Sequence, residues 1–483
     1  MALAAACLVP AVLWYAQPGY LTTSSATRGL RTQLGASSTS VALDDLPPAA
    51  KAWADANFVD ESKELAAHPF PFAPQELVAR AKRILALNIG FPGEVGGLMA
   101  EDFEFAGPVV GPLSKKAYLD AIKGFDLLKF FPDSNFEMYD FRVDPFEPNR
   151  VWFTSRGKGT QTGSSKDSPF FSKATGKSYV NPPQACSFTF NEQGLVNQYT
   201  IGYVMDRRVG NTGVVQLDGT QRSTAASTSD ALDDLPPAAK AWAAANFVDE
   251  SKEFAAHPFP FAPQELVARS KRILALNIGF PGEEGGLMAE DFEFAGPVVG
   301  PLSKQAYLGS IKSFGFNTFF PDAVFEMYDF RVDPFEPNRV WFTSRGTGTQ
   351  TGSSKDSPFF KEATGKSYVN PPQACSFTFN EQGLVNQYTI GYVMDRRVGN
   401  TGGLGGLYGI LYAIGKPFPF PEAQPHKPSL RMRLFNKLGR YMAEQKAKKE
   451  AKEASDVQPK LHSHVTTATG LRSVWDWLPC GSL

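Results

Sequence analysis

Apolar and polar positions alternate along this chain in two distinct rhythms. Pro74–Asn88 ("PQELVARAKRILALN") places Leu77, Ala81, Ile84, Leu85 and Asn88 at helical spacing, which predicts an amphipathic helix. Pro47–Asn57 ("PPAAKAWADAN") opens with prolines and continues with good helix formers, a second helix. Ser114–Phe125 opens on a serine that can cap and reads as a third. The period then shortens to two. A short strand is predicted to start at Asp102–Phe105, and strands follow at Phe136–Val143, Val151–Arg156, Cys186–Asn191 and Leu195–Asp206. The turn Asn191–Gly194 joins the last two, and a long polar loop separates the second and third of the later strands. Helices followed by a run of antiparallel strands predict an α+β fold with helices on one face of a curved sheet.

The whole pattern occurs twice. Ala42–Gly213 returns as Ala231–Gly402, so that Asp102 corresponds to Asp291 and Cys186 to Cys375. A unit this long is a domain; solenoid repeats have periods of ~20–50 residues. The differences cluster in Asp120–Asn135 against Gly309–Val324. The expected organisation is a leader at 1–41, domain 1 at 42–213, a Ser/Thr-rich linker at 214–230, domain 2 at 231–415, and a basic C-terminal helix and tail at 416–483. The linker fits a stable tandem or a polyprotein cut between its units, and the two domains are able to pair with each other.

Composition narrows the partners. With 42% hydrophobic residues, 20% charged residues and a net charge of −1, the chain has no basic excess for nucleic acid. Four cysteines without a CxxC or Cys/His cluster indicate neither zinc nor a disulfide framework, and no metal or cofactor is expected. Glycine spacing for a nucleotide is absent. Ala2–Ala16 is apolar and shorter than the ~20 residues of a membrane span. Leu21–Ser40 then carries Ser, Thr and Arg without an acid. Together they resemble the bipartite leader of algal plastid proteins; a secretory signal with a linker is the alternative.

The segment "LMAEDFEFAGPVVGPLSKKAYLDAI" and the element order around it resemble NTF2-like, SnoaL-like domains. The resemblance implies a cone for each copy, a curved antiparallel sheet packed on about three helices around an apolar pocket. It also implies a wide functional range: polyketide cyclases, ketosteroid isomerases, dehydratases, epoxide hydrolases and non-enzymatic binding or assembly modules.

Four carboxylates are catalytic candidates. Asp102 and Asp291, beside Phe103, Phe105 and Leu98 or their equivalents, would be general bases if desolvated in a pocket, or local backbone partners where helix gives way to strand. In "FEMYDFRVD", strict alternation puts Asp140, Arg142 and Asp144 on one face and Tyr139, Phe141 and Val143 on the other. Asp140 and its equivalent Asp329 then belong to a water-activating array, as the resemblance implies, or to a salt-bridged ladder on the solvent face. In Val196–Asp206, alternation places Asn197, Tyr199, Ile201, Tyr203 and Met205 together. Tyr139, Tyr199, Tyr203, Tyr328, Tyr388 and Tyr392 are therefore the expected pocket tyrosines. Paired with a carboxylate they would reproduce the ketosteroid-isomerase theme; otherwise they are core aromatics. Cys186, in line with Phe188 and Phe190, reads as a small buried hydrophobe.

Only the second copy continues into an uncharged apolar stretch, Gly403–Gly415, which suits a close-packed or membrane-touching helix. Leu430–Ala451 then places Leu430, Leu434, Leu438, Tyr441 and Met442 on one helical face amid Arg and Lys, a pattern for a membrane surface or an acidic protein. The resulting expectation is a plastid module that binds a small apolar ligand or assembles with a partner. The alternative is a cofactor-independent isomerase, cyclase or hydratase of a polycyclic or terpenoid-like substrate, using Asp102 or Asp140 with Tyr199 or Tyr203.

Overall fold

The computed structural model describes residues 46–87, 97–108, 111–123, 127–166, 171–206, 208, 235–276, 286–297, 299–312, 315–357, 359–421 and 424–427, with the single positions 430, 434, 441, 445, 448 and 452. The leader and the linker lie outside these residues. The chain divides into two compact units, 1–425 and 426–483, and both copies belong to the first.

The first copy opens with helices α1 (Pro48–Asn57), α2 (Glu61–Ala67) and α3 (Pro74–Ala86). Prolines start α1 and α3, where a missing N–H costs nothing, and the Asp60 carboxylate caps α2 by accepting from Lys63 N. Strands β1 (Met99–Ala106) and β2 (Leu113–Ser114) precede α4 (Lys115–Lys123) and α5 (Leu127–Phe130). The sheet is completed by β3 (Asn135–Val143), β4 (Arg150–Thr160), β5 (Ser178–Val180), β6 (Gln184–Phe190) and β7 (Val196–Val204). The strand order is β2–β1–β7–β6–β4–β3, with β5 added beside β4.

The second copy repeats this. It has α6 (Pro237–Asn246), α7 (Glu250–Ala256), α8 (Pro263–Ala275), β8 (Met288–Ala295), β9 (Leu302–Ser303), α9 (Lys304–Lys312) and α10 (Phe316–Phe319). Strands β10 (Val324–Val332), β11 (Arg339–Thr349), β12 (Ser367–Val369), β13 (Gln373–Phe379) and β14 (Val385–Val393) follow, then α11 (Gly406–Ala413), inside the apolar stretch noted above.

The sheets are mixed, not purely antiparallel. β1 runs parallel to β7, and β8 to β14, because a long connection through helices and strands lets the chain re-enter in the same direction. Asp102 lies inside β1 rather than at a helix–strand junction, beside a break in register between Met99 and Glu104.

The cores are aromatic. On one face of the first sheet, Phe103, Phe153, Cys186, Phe188, Phe190 and Tyr199 pack with Leu77, Ala81 and Ile84 of α3. Burial pushes the Cys186 thiol up to about 12, as fits a small hydrophobe.

The first helices are exchanged between the copies. In sequence α6 belongs to copy two, yet Leu235, Ala239, Ala243 and Phe247 are part of the copy-one core. The Asn246 carboxamide accepts from Phe136 N of β3 at 2.8 Å, and Val248 N donates to Met138 O. Reciprocally, Trp53 and Phe58 pack on the copy-two core, Asn57 Oδ1 accepts from Phe325 N at 2.7 Å, and Val59 N donates to Met327 O. By Phe70 and Phe72 the chain has returned to its own copy's core, as it has by Phe259 and Phe261 in copy two.

Candidate functional site at the contact between the copies

The residues singled out in the sequence converge mainly on the surface where the two sheets meet. Alternation along β3 fails at one point. The register against β4 shifts between Tyr139 and Arg142, and Asp140 adopts φ +60°, a conformation costing a non-glycine residue on the order of 1–3 kcal/mol. The bulge turns Tyr139 away from Phe141 and Val143, which stay with the cone core, and aims it at the other copy. The strict two-residue reading of this strand is therefore corrected: Tyr139, Asp140, Arg142 and Asp144 all serve the contact. Copy two does the same, with φ +60° at Asp329. Each bulge is held by the exchanged segment. Asp140 N donates to Glu250 Oε1 and Asp329 N to Glu61 Oε1, both at 2.8 Å.

Asp140, Arg142, Asp329 and Arg331 form a four-membered charge cluster. Arg142 donates through Nε to Asp329 and through Nη1 to Asp140 Oδ2 at 2.8 Å. Arg331 mirrors this with Asp140 and, at 2.7 Å, Asp329. Thr154 and Thr343 hydroxyls donate to the same carboxylate oxygens at 3.2 Å. The array thus lies between the copies, its side chains 10–16% exposed, and is not a solvent-face ladder. Burial pushes the Asp140 carboxyl up, against the pull of Arg142 and Arg331.

Around the cluster, polar groups pair across the pseudo-twofold. Tyr139 OH donates to Asp333 Oδ2 at 3.4 Å, and Tyr328 OH to Asp144 Oδ2 at 3.5 Å. Trp152 and Trp341 indoles donate to the same carboxylates, Asp144 at 2.7 Å and Asp333 at 2.8 Å. Arg150 Nη2 reaches Asp395 at 2.8 Å and Arg339 Nη2 reaches Asp206 at 2.7 Å, each guanidinium also stacking 4.0 Å over its own strand's tryptophan. Trp152, Tyr203, Met205, Trp341, Tyr392 and Met394 supply the apolar centre.

The tyrosines of the last strands separate for a similar reason. Gly202 takes φ +89° where the β6–β7 register slips between Ala185 and Ser187. Tyr199 therefore faces the cone core, in contact with Phe188 (4.6 Å) and Phe105 (5.6 Å), while Tyr203 faces the other copy. The expected common face of Tyr199, Tyr203 and Met205 is corrected accordingly. Tyr388 and Tyr392 divide in the same way between the copy-two core and the contact. Burial raises the Tyr199 and Tyr388 hydroxyls well above the usual tyrosine range. Asp102 and Asp291 are exposed, beside the Lys115–Glu101 and Lys304–Glu290 pairs. Asp102 and Asp291 thus lie in solvent and Tyr199 and Tyr388 in the cores, whereas Asp140, Asp329, Tyr139, Tyr203, Tyr328 and Tyr392 gather at the contact.

A cleft of about 280 Å³ lies against α2, lined by His68, Phe70, Phe72, Pro74 and Pro148 among others. Among the described residues no group of His, Cys, Asp and Glu has the arrangement of a metal site, and no helix is long and apolar enough to cross a membrane.

No family model matches the sequence, and no curated protein matches it. Similar solved structures include AclR from Streptomyces galilaeus, proposed to be a hydroxylase (TM-score 0.22, 17% identity, 29% of this chain and 82% of that one). A proposed SnoaL-like polyketide cyclase from Jannaschia sp. CCS1 (0.20, 17%, 26% and 84%) and IdmH from Streptomyces antibioticus, a proposed polyketide cyclase (0.20, 14%, 25% and 89%), are also similar. At these values the likeness carries nothing on chemistry.

Sequence reasoning missed Glu61 and Glu250, which hold the bulges. Nothing in their local pattern marks a residue whose partner lies in the other copy.

Proposed function

We propose that this chain is a non-enzymatic binding or assembly module, a permanently joined pair of cones that works in a plastid. The observation that supports it is the use of Asp140 and Asp329: both are saturated by Arg142, Arg331 and threonine hydroxyls at the contact between the copies. A general base needs a free lone pair aimed at substrate. The interior positions that would line a pocket are filled by mutual ring contacts among Phe103, Phe105, Tyr118, Phe188 and Tyr199. The basic C-terminal segment, with Leu430, Leu434 and Tyr441 exposed, suits an anionic membrane or an acidic protein.

The test is proton abstraction. Polycyclic ketones incubated with the chain in D₂O are followed by NMR for deuterium uptake beside the carbonyl. Uptake at the buffer rate is expected. Protein-catalysed uptake that disappears in the Asp102→Asn/Asp291→Asn variant would make the chain an enzyme of the alternative class.

A further inference from the structure

The two copies differ at one apolar surface. In copy two, α11 lies on Phe316, Phe319, Phe320, Phe360 and Tyr368, through Ile410, Leu411 and Ile414. Phe320, Phe360 and Tyr368 are fully covered there, each at 0% exposure. Copy one builds the same seat from Phe130, Phe131, Phe171 and Tyr179. Its geometry is already set: Phe131 lies 5.4 Å from Phe171 and 5.2 Å from Tyr179, against 5.5 and 5.3 Å for Phe320 with Phe360 and Tyr368. Yet Phe131, Phe171 and Tyr179 are only half-buried.

The chain that follows each copy differs. After Gly213 the chain reads "VVQLDGTQRSTAASTSD", charged and Ser/Thr-rich beyond its first four residues, where copy two has the uncharged "GLGGLYGILYAIG". The occupant of the second seat also shows what fits. It is an uncharged helix entered through Gly405, where a Cβ would meet Gly391 O of the neighbouring strand β14 at 2.0 Å.

We propose that the Phe131–Phe171–Tyr179 surface of copy one is a docking site for a short, uncharged, glycine-containing apolar helix of a protein partner, bound as α11 is bound in copy two. The proposal rests on the assembly reading and names the surface. Its failure would leave that reading standing on other surfaces, whereas catalysed deuterium uptake would remove the reading itself.

The probe is a fluorescent peptide of residues 403–420, titrated onto the full chain by anisotropy. Saturable one-to-one binding is expected, at least tenfold weaker for Tyr179→Arg and unchanged for Tyr179→Phe. Because Tyr179→Arg could disturb the fold, a peptide carrying a photo-crosslinker at the Leu411 position is used on the unaltered chain, and adducts within 127–131 or 171–180 are expected. Absence of binding, equal binding by a folded Tyr179→Arg chain, or adducts confined to 316–320 and 360–369 would overturn the proposal.

Discussion

Replacing Asp206 by Asn tests whether the two copies are held by buried charge. Asp206 is 1% exposed, and its Oδ2 lies 2.7 Å from Arg339 of the other copy and 3.0 Å from Arg208 of its own. Burial alone would push this carboxyl up; Arg339 and Arg208 outweigh burial and hold it at about 2. An unfolded Asp titrates near ~3.9. A depressed folded value means a stabilisation fully present above about pH 4 and lost as pH falls toward 2. The difference of nearly two units corresponds to about 2–3 kcal/mol. The Asn variant also strands Arg339, itself 2% exposed, with Glu336 and Ser376 as remaining partners. Breaking one side of a buried pair costs about 3–5 kcal/mol, so that is the loss expected at pH 7. Urea unfolding of the full chain, followed by far-UV circular dichroism at pH 7, 4 and 2.5, reads it directly. The gap between wild type and Asp206→Asn should shrink by about 2 kcal/mol between pH 7 and pH 2.5. A gap below 1 kcal/mol at pH 7, or one that does not change with pH, refutes the reasoning.

Three further outcomes are expected. Phe247→Ala should cost about 3–5 kcal/mol and, by hydrogen exchange, deprotect α3 and β3 of copy one rather than the strands that follow Phe247 in sequence; the opposite pattern would rule out helix exchange. Cutting a protease site inserted in the linker should leave both halves in one gel-filtration peak that separates only in denaturant. Asp329→Ala should lose about 3–5 kcal/mol, and adding Arg142→Met should recover at least ~1 kcal/mol by restoring neutrality; strict additivity in a thermal or urea titration would contradict the cluster.

Local rhythm made much of one copy legible. The helices at Pro48–Asn57 and Pro74–Ala86 and the strand positions follow from spacing and proline placement alone. Cys186 with Phe188 and Phe190 was readable as core for the same reason. What alternation does not carry is its own interruption. The bulge at Asp140 and the slip at Gly202 each reverse the face of the residues after them, and the bulge is held by a contact far away in sequence. Asp140 N finds its acceptor at Glu250, 110 residues on. The parallel pairing of β1 with β7 was equally hidden, since it depends on where a long connection ends. The short helix α2 and the strands β2 and β5 are too brief to impose a period.

The exchanged helices also bear on how such a chain changes over generations. Residues 46–61 are built against the body of copy two, and residues 235–250 against that of copy one. A substitution in either opening helix is therefore selected for its fit to the opposite half. Copy two already carries Ser270, fully buried, where copy one has Ala81, in the helix α8 on which α1 of the other copy packs. Two duplicated halves joined in this way cannot drift independently: each supplies part of the template against which the other is judged.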